Sequence, residues 1–273
     1  MTTASRVLVD AHVHLHDCFD VPAFLDTAAA NFAAAARTLG LDSTPPGCLM
    51  LTESRGVDRF ASLAGGSVAT GPWQVSPTDE RVSVIARRHD GAAIALVAGR
   101  QIICREGLEV LALGTCANFA DGEPIRDVLK RVGALQAMAV MPWGVGKWHG
   151  ARGRLVAELI RQQPVQPLYV GDNGGRLGLA PEPRLFAVAQ SAQIPVLPGS
   201  DPLPFAAQLT KVAGYGFMAD AALDQTTPFA TLRGYIDHHR ASLKRFGRLE
   251  SLAGFLRSQI AMQIQKRRGP PAS

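Results

Sequence analysis

The 273-residue chain has few cysteines, few charged residues and no long apolar run, and each shortage excludes a class of protein. No apolar run approaches the roughly 18 residues that cross a bilayer. The four cysteines form no Cys-x-x-Cys pair and are too sparse for a disulfide framework, which is typical of reduced thiols in the cytoplasm. The first six residues lack the charged head and apolar stretch of a secretory signal. We therefore expect a cytoplasmic protein with no membrane partner.

Several catalytic signatures are also missing. The sequence has no Gly-x-Ser-x-Gly elbow, no P-loop, and no dinucleotide-binding glycine fingerprint at the start of a helix. A serine triad, P-loop nucleotide hydrolysis and dinucleotide chemistry therefore have no support in the sequence.

The composition predicts one large globular domain. Hydrophobic residues make up 47% of the chain and charged residues 19%, which fits a compact core. The net charge of +5 is concentrated between Arg233 and Arg268, where nine basic residues stand against Asp237 and Glu250. No aromatic residues alternate with these charges, so we interpret them as solvated helix faces and do not expect nucleic acid as a partner. The sequence gives no indication of the oligomeric state.

The hydrophobic pattern alternates between strand-like and helix-like segments, which favours a parallel sheet. An alanine-rich helix is predicted over Val21–Leu39 and a buried strand over Cys48–Thr52. Between Val82 and Leu113, short β-rich runs separated by Asp-Gly and Glu-Gly turns predict an antiparallel meander. The alternation then resumes, and the chain beyond Pro204 is predicted to be helical. We expect an α/β fold in which this meander is inserted.

Alternating histidines follow the first apolar run, in the segment Val7 to Asp17. Because side chains on a strand alternate between faces, His12, His14 and His16 are expected to project in one direction. Neutral imidazoles a few ångströms apart form a bidentate grip for a divalent transition metal. The alternative is a polar strand end whose histidines bind only backbone groups or water. We favour the metal site, because packing alone does not explain this pattern.

Polar residues also follow the later strands, and in parallel barrels the active site lies at these strand ends. Asp201, which follows a short apolar strand, is a candidate metal ligand or general base, although Ser-Asp before Pro202 could equally cap a helix. Asp172 and Arg176 in Gly-Asp-Asn-Gly-Gly-Arg could form an anion site with Arg176 as the clamp, or only a tight turn. Lys147 and Arg152 lie in a glycine-rich loop that could bind a ligand or be a surface loop.

These motifs resemble the polymerase and histidinol phosphatase (PHP) family of metal-dependent hydrolase barrels, over residues 6–205. The family opens with Asp-x-His-x-His, matched by Asp10-Ala-His12-Val-His14, and closes with Gly-Ser-Asp-x-His, matched by Gly199-Ser200-Asp201. The resemblance implies a distorted TIM-like (β/α) barrel in a single domain over 1–273, with a helical extension over 206–273 packed on it. Where the family has further metal-binding residues, this chain has others: Ser54, Gln101, Met141 and Leu203.

The surviving ligands imply one divalent ion, Zn, Mn or Fe, held by His12, His14 and Asp201, since three protein ligands and a water suffice for a catalytic metal. Asp201 or Glu53 would take a proton from the water, and Arg176, Lys147, Arg152 and Asp172 would line the site of a small anionic substrate. The favoured function is a phosphoesterase. Two alternatives stay open: a barrel that binds an anionic ligand or partner without catalysis, and an amidohydrolase-like enzyme acting on a C–N bond.

Overall fold

The computed structural model describes residues 5–165, 167–239 and 243–268. Arg240, counted above in the basic segment, and both chain ends of the expected 1–273 domain lie outside these residues. The strands are β1 (Val7–Val13), β2 (Gly47–Leu51), β3 (Gln74–Pro77), β4 (Ser83–Arg87), β5 (Ala93–Val97), β6 (Gly99–Ile103), β7 (Glu109–Leu113), β8 (Met138–Pro142), β9 (Leu168–Asn173), β10 (Val196–Gly199), β11 (Tyr215–Ala219) and β12 (Lys244–Gly247).

Within the described residues, seven α-helices and one 3-10 helix connect and cover these strands. They are α1 (Val21–Thr38), α2 (Arg59–Ala64), α3 (Ile125–Ala134), α4 (Gly150–Gln162), α5 (Arg184–Ser191), α6 (Pro228–His238) and α7 (Leu252–Arg268), with the 3-10 helix at Ala206–Lys211. The helix predicted over Val21–Leu39 is confirmed. Asp20 caps it by accepting a 3.0 Å hydrogen bond from the Ala23 amide, and Pro22 lies in its first turn. No helix in the described ranges combines enough length and apolarity to cross a bilayer.

The strands form two mixed sheets. The seven-stranded sheet has the order β12-β11-β1-β2-β5-β4-β3, with β1, β2 and β5 parallel and the outer strands antiparallel. The five-stranded sheet has the order β10-β9-β8-β7-β6, with β8, β9 and β10 parallel. The expected closed TIM-like barrel is therefore wrong for the described residues, which form an open α/β fold. Antiparallel strands extend both edges of the larger sheet, whereas the strands of a (β/α) barrel are parallel and joined by helical crossovers.

The predicted meander is also wrong as a single unit. The chain leaves the larger sheet at the end of β5 and enters the smaller one at Gly99, so its hairpins are divided between the two sheets. The segment after Pro204 is not helical throughout, because β11 pairs antiparallel with β1 and β12 pairs with β11. All five residues of β11 are buried, so its sequence lacks the alternation of apolar and polar residues that would have distinguished a strand from a helix.

The two sheets meet at two places, and a glycine lies at each. The Glu53 amide donates to the Gly99 carbonyl at 3.1 Å, and the Asp201 amide donates to the His12 carbonyl at 2.8 Å. A Cβ added to Gly99 would lie 2.3 Å from the Leu51 carbonyl oxygen, and one added to Gly199 would lie 2.4 Å from the His12 Cβ. Larger residues would force the sheets apart at these points.

The core has three layers. Side chains of β1 alternate, so that Val7, Val9 and Ala11 pack between the two sheets while Leu8 packs against α1. The layer between the sheets also contains Tyr169 of β9, and the outer face of the smaller sheet is covered by α3, α4 and α5. The strands β1 and β10 lie next to each other, and their carboxyl ends are at the same edge of the fold.

Candidate metal site

The two histidines of the opening motif lie at the carboxyl end of β1. His12 is the penultimate strand residue and His14 follows the strand directly. The pairing of β1 with β2 shifts register between Asp10 and Val13, an irregularity that occurs often beside active sites because it redirects side chains. Both histidines are buried, at 4% and 7% exposure.

Asp201 reaches these histidines from the end of β10. Its backbone adopts a φ of 45°, in the left-handed region that non-glycine residues rarely occupy. The hydrogen bond from its amide to the His12 carbonyl fixes the residue in this conformation. Strained backbone of this kind is found where the surrounding structure demands a particular side-chain direction, as at functional sites.

The three side chains converge on one point. The Nε2 atoms of His12 and His14 are 3.3 Å apart, and the Oδ1 atom of Asp201 lies 3.5 Å from the first and 3.4 Å from the second. These three residues form a group that could hold a metal ion. The expectation that residues far apart in sequence meet here is confirmed.

The spacing of these donor atoms fits a single ion. Ligand atoms about 2.0–2.2 Å from a tetrahedral metal lie about 3.3–3.6 Å from one another. The three measured separations, 3.3, 3.4 and 3.5 Å, fall in that interval. Two imidazoles and one carboxylate suit Zn, Mn or Fe. The residues present therefore fit one divalent ion with three protein ligands.

The electrostatics of His12 and Asp201 favour the forms that bind metal. Burial lowers the pKa of His12 and neighbouring His14 lowers it further, and together they outweigh Asp201, which raises it. Burial acts to raise the pKa of Asp201, but His12, His14 and Lys147 outweigh it and hold the pKa below its ordinary value. A neutral imidazole and an ionised carboxylate are the forms that bind metal.

His16 does not join the cluster. Its Nε2 donates a 2.8 Å hydrogen bond to the Pro202 carbonyl, and its ring stacks on His14 with centroids 5.0 Å apart. His16 therefore lies beside His14 but outside the three-residue cluster, because its Nε2 is taken up by the Pro202 carbonyl.

Asp10 holds the cluster in place from behind. Its fully buried carboxylate accepts hydrogen bonds from the His12 and Ser200 amides at 3.2 and 2.8 Å, the Ser200 hydroxyl at 2.5 Å and the Ala213 amide at 3.0 Å. Burial raises the pKa of Asp10 to about 7, against these four donors. One carboxylate thus ties β1 to the residue before Asp201.

Two further residues contact the cluster: Asn173, which sequence reasoning did not assign to it, and Gln101, which stands at one of the family's metal-binding positions. Asn173, the last residue of β9, donates from Nδ2 to the Asp201 Oδ2. Gln101 of β6 places its Oε1 3.3 Å from the His12 Nε2. Asn173 directly follows the buried aspartate Asp172 at the end of β9, and this strand-end position was the one sequence feature that could have placed it at the site.

Glu53 lies outside the cluster. Its Oε1 accepts from the Phe60 amide at 2.7 Å, at the start of α2, and its Oε2 accepts from Arg100 at 2.5 Å. Burial raises the pKa of Glu53, while the Phe60 amide and Arg100 oppose that rise. Both oxygens of the expected proton acceptor are therefore engaged within the protein.

Asp172 and Arg176 bind each other. The Arg176 Nε and Nη2 donate to the two carboxylate oxygens at 2.9 and 3.0 Å, and the Tyr215 hydroxyl adds a third bond at 2.6 Å. Both members of the pair are buried, at 1% and 4% exposure. The Arg176 guanidinium, which sequence reasoning expected to clamp an anionic substrate, thus binds an internal carboxylate.

Lys147 acts on the cluster, whereas Arg152 binds only the backbone of its own and a neighbouring loop. Lys147 is near enough to Asp201 to lower that carboxyl's pKa, and its Nζ pairs with Glu109 on β7. Arg152 donates to the carbonyls of Gly146 and Gly107 at 3.0 and 3.5 Å, which holds its loop in shape. Beside the cluster, His14, His16, Glu53 and Ser54 line a cavity of 240 Å³.

Comparisons with known proteins identify a fold and no reaction. No protein-family model and no curated protein matches the chain. Among solved structures, it is similar to PsfC from Pseudomonas syringae PB-5123, with 16% identity over 97% of this chain and 100% of that one, at a TM-score of 0.51. It is also similar to the lesion-specific endonuclease PfuEndoQ from Pyrococcus furiosus, with 12% identity and a TM-score of 0.49. That match covers 88% of this chain, which spans 57% of the endonuclease. At these identities, the likeness to PsfC supports a shared α/β fold.

Proposed function

We propose that this protein is a metal-dependent hydrolase that uses one divalent ion held by His12, His14 and Asp201. The observation that carries the proposal is the triangle of donor atoms with sides of 3.3, 3.4 and 3.5 Å. Membership of the PHP family is part of the proposal, since this triangle joins the opening and closing motifs of that family. When bound, the ion would lower the pKa of a coordinated water towards neutrality.

The chain's own residues would orient the ligands and accept the proton. Of the two carboxylates expected to do so, Glu53 has both oxygens engaged within the protein. In Asp201, Oδ1 faces both imidazoles and would hold the ion, so the proton would go to Oδ2. Asn173 donates a hydrogen bond to that oxygen, so the carboxylate cannot rotate freely.

We propose a small anionic substrate, with a phosphoester as the expected class. Lys147 is the cation whose charge acts on Asp201, and it would hold a negatively charged group after leaving Glu109. The cavity of 240 Å³ beside His14 would take a small group of the substrate.

The test is hydrolysis by metal-free protein reloaded separately with Zn, Mn and Fe. Phosphomonoesters, phosphodiesters and amides are offered in parallel, and turnover is compared with the apoprotein. We expect metal-dependent phosphate release that His12→Ala and Asp201→Ala abolish, while the matched variant His16→Ala retains it. Cleavage of amides alone would replace the phosphoesterase with C–N hydrolysis. Stoichiometric metal with no turnover of any class would leave a binding protein.

A further inference from the structure

The C-terminal helix α7 presents a row of aliphatic side chains to solvent. Leu252, Leu256, Ile260 and Ile264 are 51%, 51%, 60% and 46% exposed. They recur every four residues, so with 3.6 residues per turn they occupy one broad arc of the helix. Isolated exposed aliphatics are ordinary, but four on one face of one helix form a contiguous apolar surface.

The opposite face of α7 holds the helix on the protein. The Gln208 side chain donates to the Ser258 hydroxyl at 3.4 Å, and Glu250, two residues before the helix, pairs with Lys211. The Glu250 amide also donates to the Arg176 carbonyl at 2.9 Å. The rest of the described chain therefore leaves the aliphatic row uncovered.

A fifth exposed aliphatic residue, Leu179, lies in a loop that is tied to the start of α7. The Gly178 amide donates to the Glu250 carbonyl at 2.9 Å, which ties the loop of Leu179 to the start of α7. Leu179 is 84% exposed. We call Leu179, Leu252, Leu256, Ile260 and Ile264 the apolar face.

The charge around this face has one sign. From Ser251 to Arg268 the sequence contains no aspartate or glutamate, and it contains Arg257, Lys266, Arg267 and Arg268. A helix with an exposed apolar row and only basic charges is typical of segments that lie on an anionic membrane surface.

We propose that α7 docks the protein on an anionic lipid surface, with the apolar face inserted among the acyl chains near the headgroups. Charge decides between this occupant and a second copy of the chain. A second copy would bring another acid-free helix against the first, so like charges would repel, whereas anionic lipid attracts every basic residue of the segment. The expectation of no membrane partner rested on the absence of a spanning segment, and a helix lying on the surface needs none.

The experiment is co-sedimentation of the full-length, metal-loaded protein with vesicles. One set is phosphatidylcholine alone, and the other contains phosphatidylserine at about a third of the lipid. We expect binding to the second set only, weakened by high salt because the Debye length shrinks. Arg257→Gln should lower the partition coefficient about fivefold, and Leu256→Gln combined with Ile260→Gln should lower it by about tenfold or more per side chain.

Matched controls keep the result independent of the proposed hydrolase. Ile103→Gln replaces an aliphatic residue of 51% exposure on β6 and should leave lipid binding unchanged. Every variant should keep one metal per chain and the melting temperature of the parent. Equal binding to both vesicle sets, no binding to either, or unchanged binding by the double variant would overturn the proposal. So would self-association in sedimentation velocity that the double variant dissolves, since it assigns the apolar face to a second copy.

Discussion

Asn173 donates its side-chain amide to the Asp201 Oδ2, and the other carboxylate oxygen, Oδ1, lies 3.4 Å from His14. The Asn173 Oδ1 in turn accepts from the Gly175 amide at 2.6 Å, so the asparagine is fixed at both ends. The consequence is that one oxygen of Asp201 is used for support and the other is left to face the imidazoles.

Replacing Asn173 should weaken metal binding without unfolding the protein. Asn173→Ala frees Asp201 to rotate, and losing such a partner of a ligand typically costs 10–100-fold in metal affinity, so we expect a loss of about that size. Competition with a chelator of known affinity measures it. The exposed Asn118→Ala should bind like the parent, and an Asn173→Ala protein with unchanged affinity would show that the contact does not position Asp201.

Asp10 should prove necessary for stability even without metal. Asp10→Asn places an amide among four donors, so that hydrogen bonds to a buried carboxylate are lost, at a cost of about 2–4 kcal/mol. Urea unfolding in excess chelator isolates this effect from metal binding. Asp42→Asn, at an exposed position, is the control, and equal stability of the two variants would refute the assignment.

Arg176 distinguishes an internal ion pair from a substrate clamp. Arg176→Ala leaves Asp172 buried and short of its main partner, which should cost about 3–5 kcal/mol of unfolding free energy. The exposed Arg161→Ala should lose almost nothing. If Arg176→Ala instead kept its stability and raised only the KM for an anionic substrate, the clamp predicted from sequence would be correct.

Glu53 is tested in the same way against an expected role in proton transfer. Glu53→Gln leaves Arg100 as an underpaired buried cation, so we expect a loss of about 3 kcal/mol or more, with metal stoichiometry unchanged. Glu158→Gln breaks a surface pair with Arg126 and should cost at most about 1 kcal/mol. A large fall in turnover at full stability would restore the proton-acceptor role.

The sequence predicted the cluster of His12, His14 and Asp201 better than the fold around it. His12, His14 and Asp201 could be found because each follows a buried apolar run, and parallel strands bring their carboxyl ends to one edge. The closed barrel could not be excluded in advance, because the pairing of β11 with β1 joins segments more than 200 residues apart and leaves no local pattern. Strand pairing depends on tertiary contacts that periodicity does not report.

The polar residues around the site were harder to assign for a related reason. Arg176 and Glu53 carry the charges that a substrate site needs, yet each is buried with an internal partner. A sequence shows which charged residues are present, but it does not show which of them are paired with an opposite charge inside the fold. Asn173 is a neutral amide, which made it inconspicuous beside the histidines, whereas Gln101 could be placed at the site only through the family resemblance; both contact the cluster.

The most direct test of the account is the number of metal ions per chain, measured by elemental analysis of protein equilibrated with excess Zn²⁺ or Mn²⁺ and freed of unbound ion. We predict one ion for the parent and for His16→Ala, and none for His12→Ala or Asp201→Ala. An ion retained in both of the last two variants, or no ion in the parent, would contradict it.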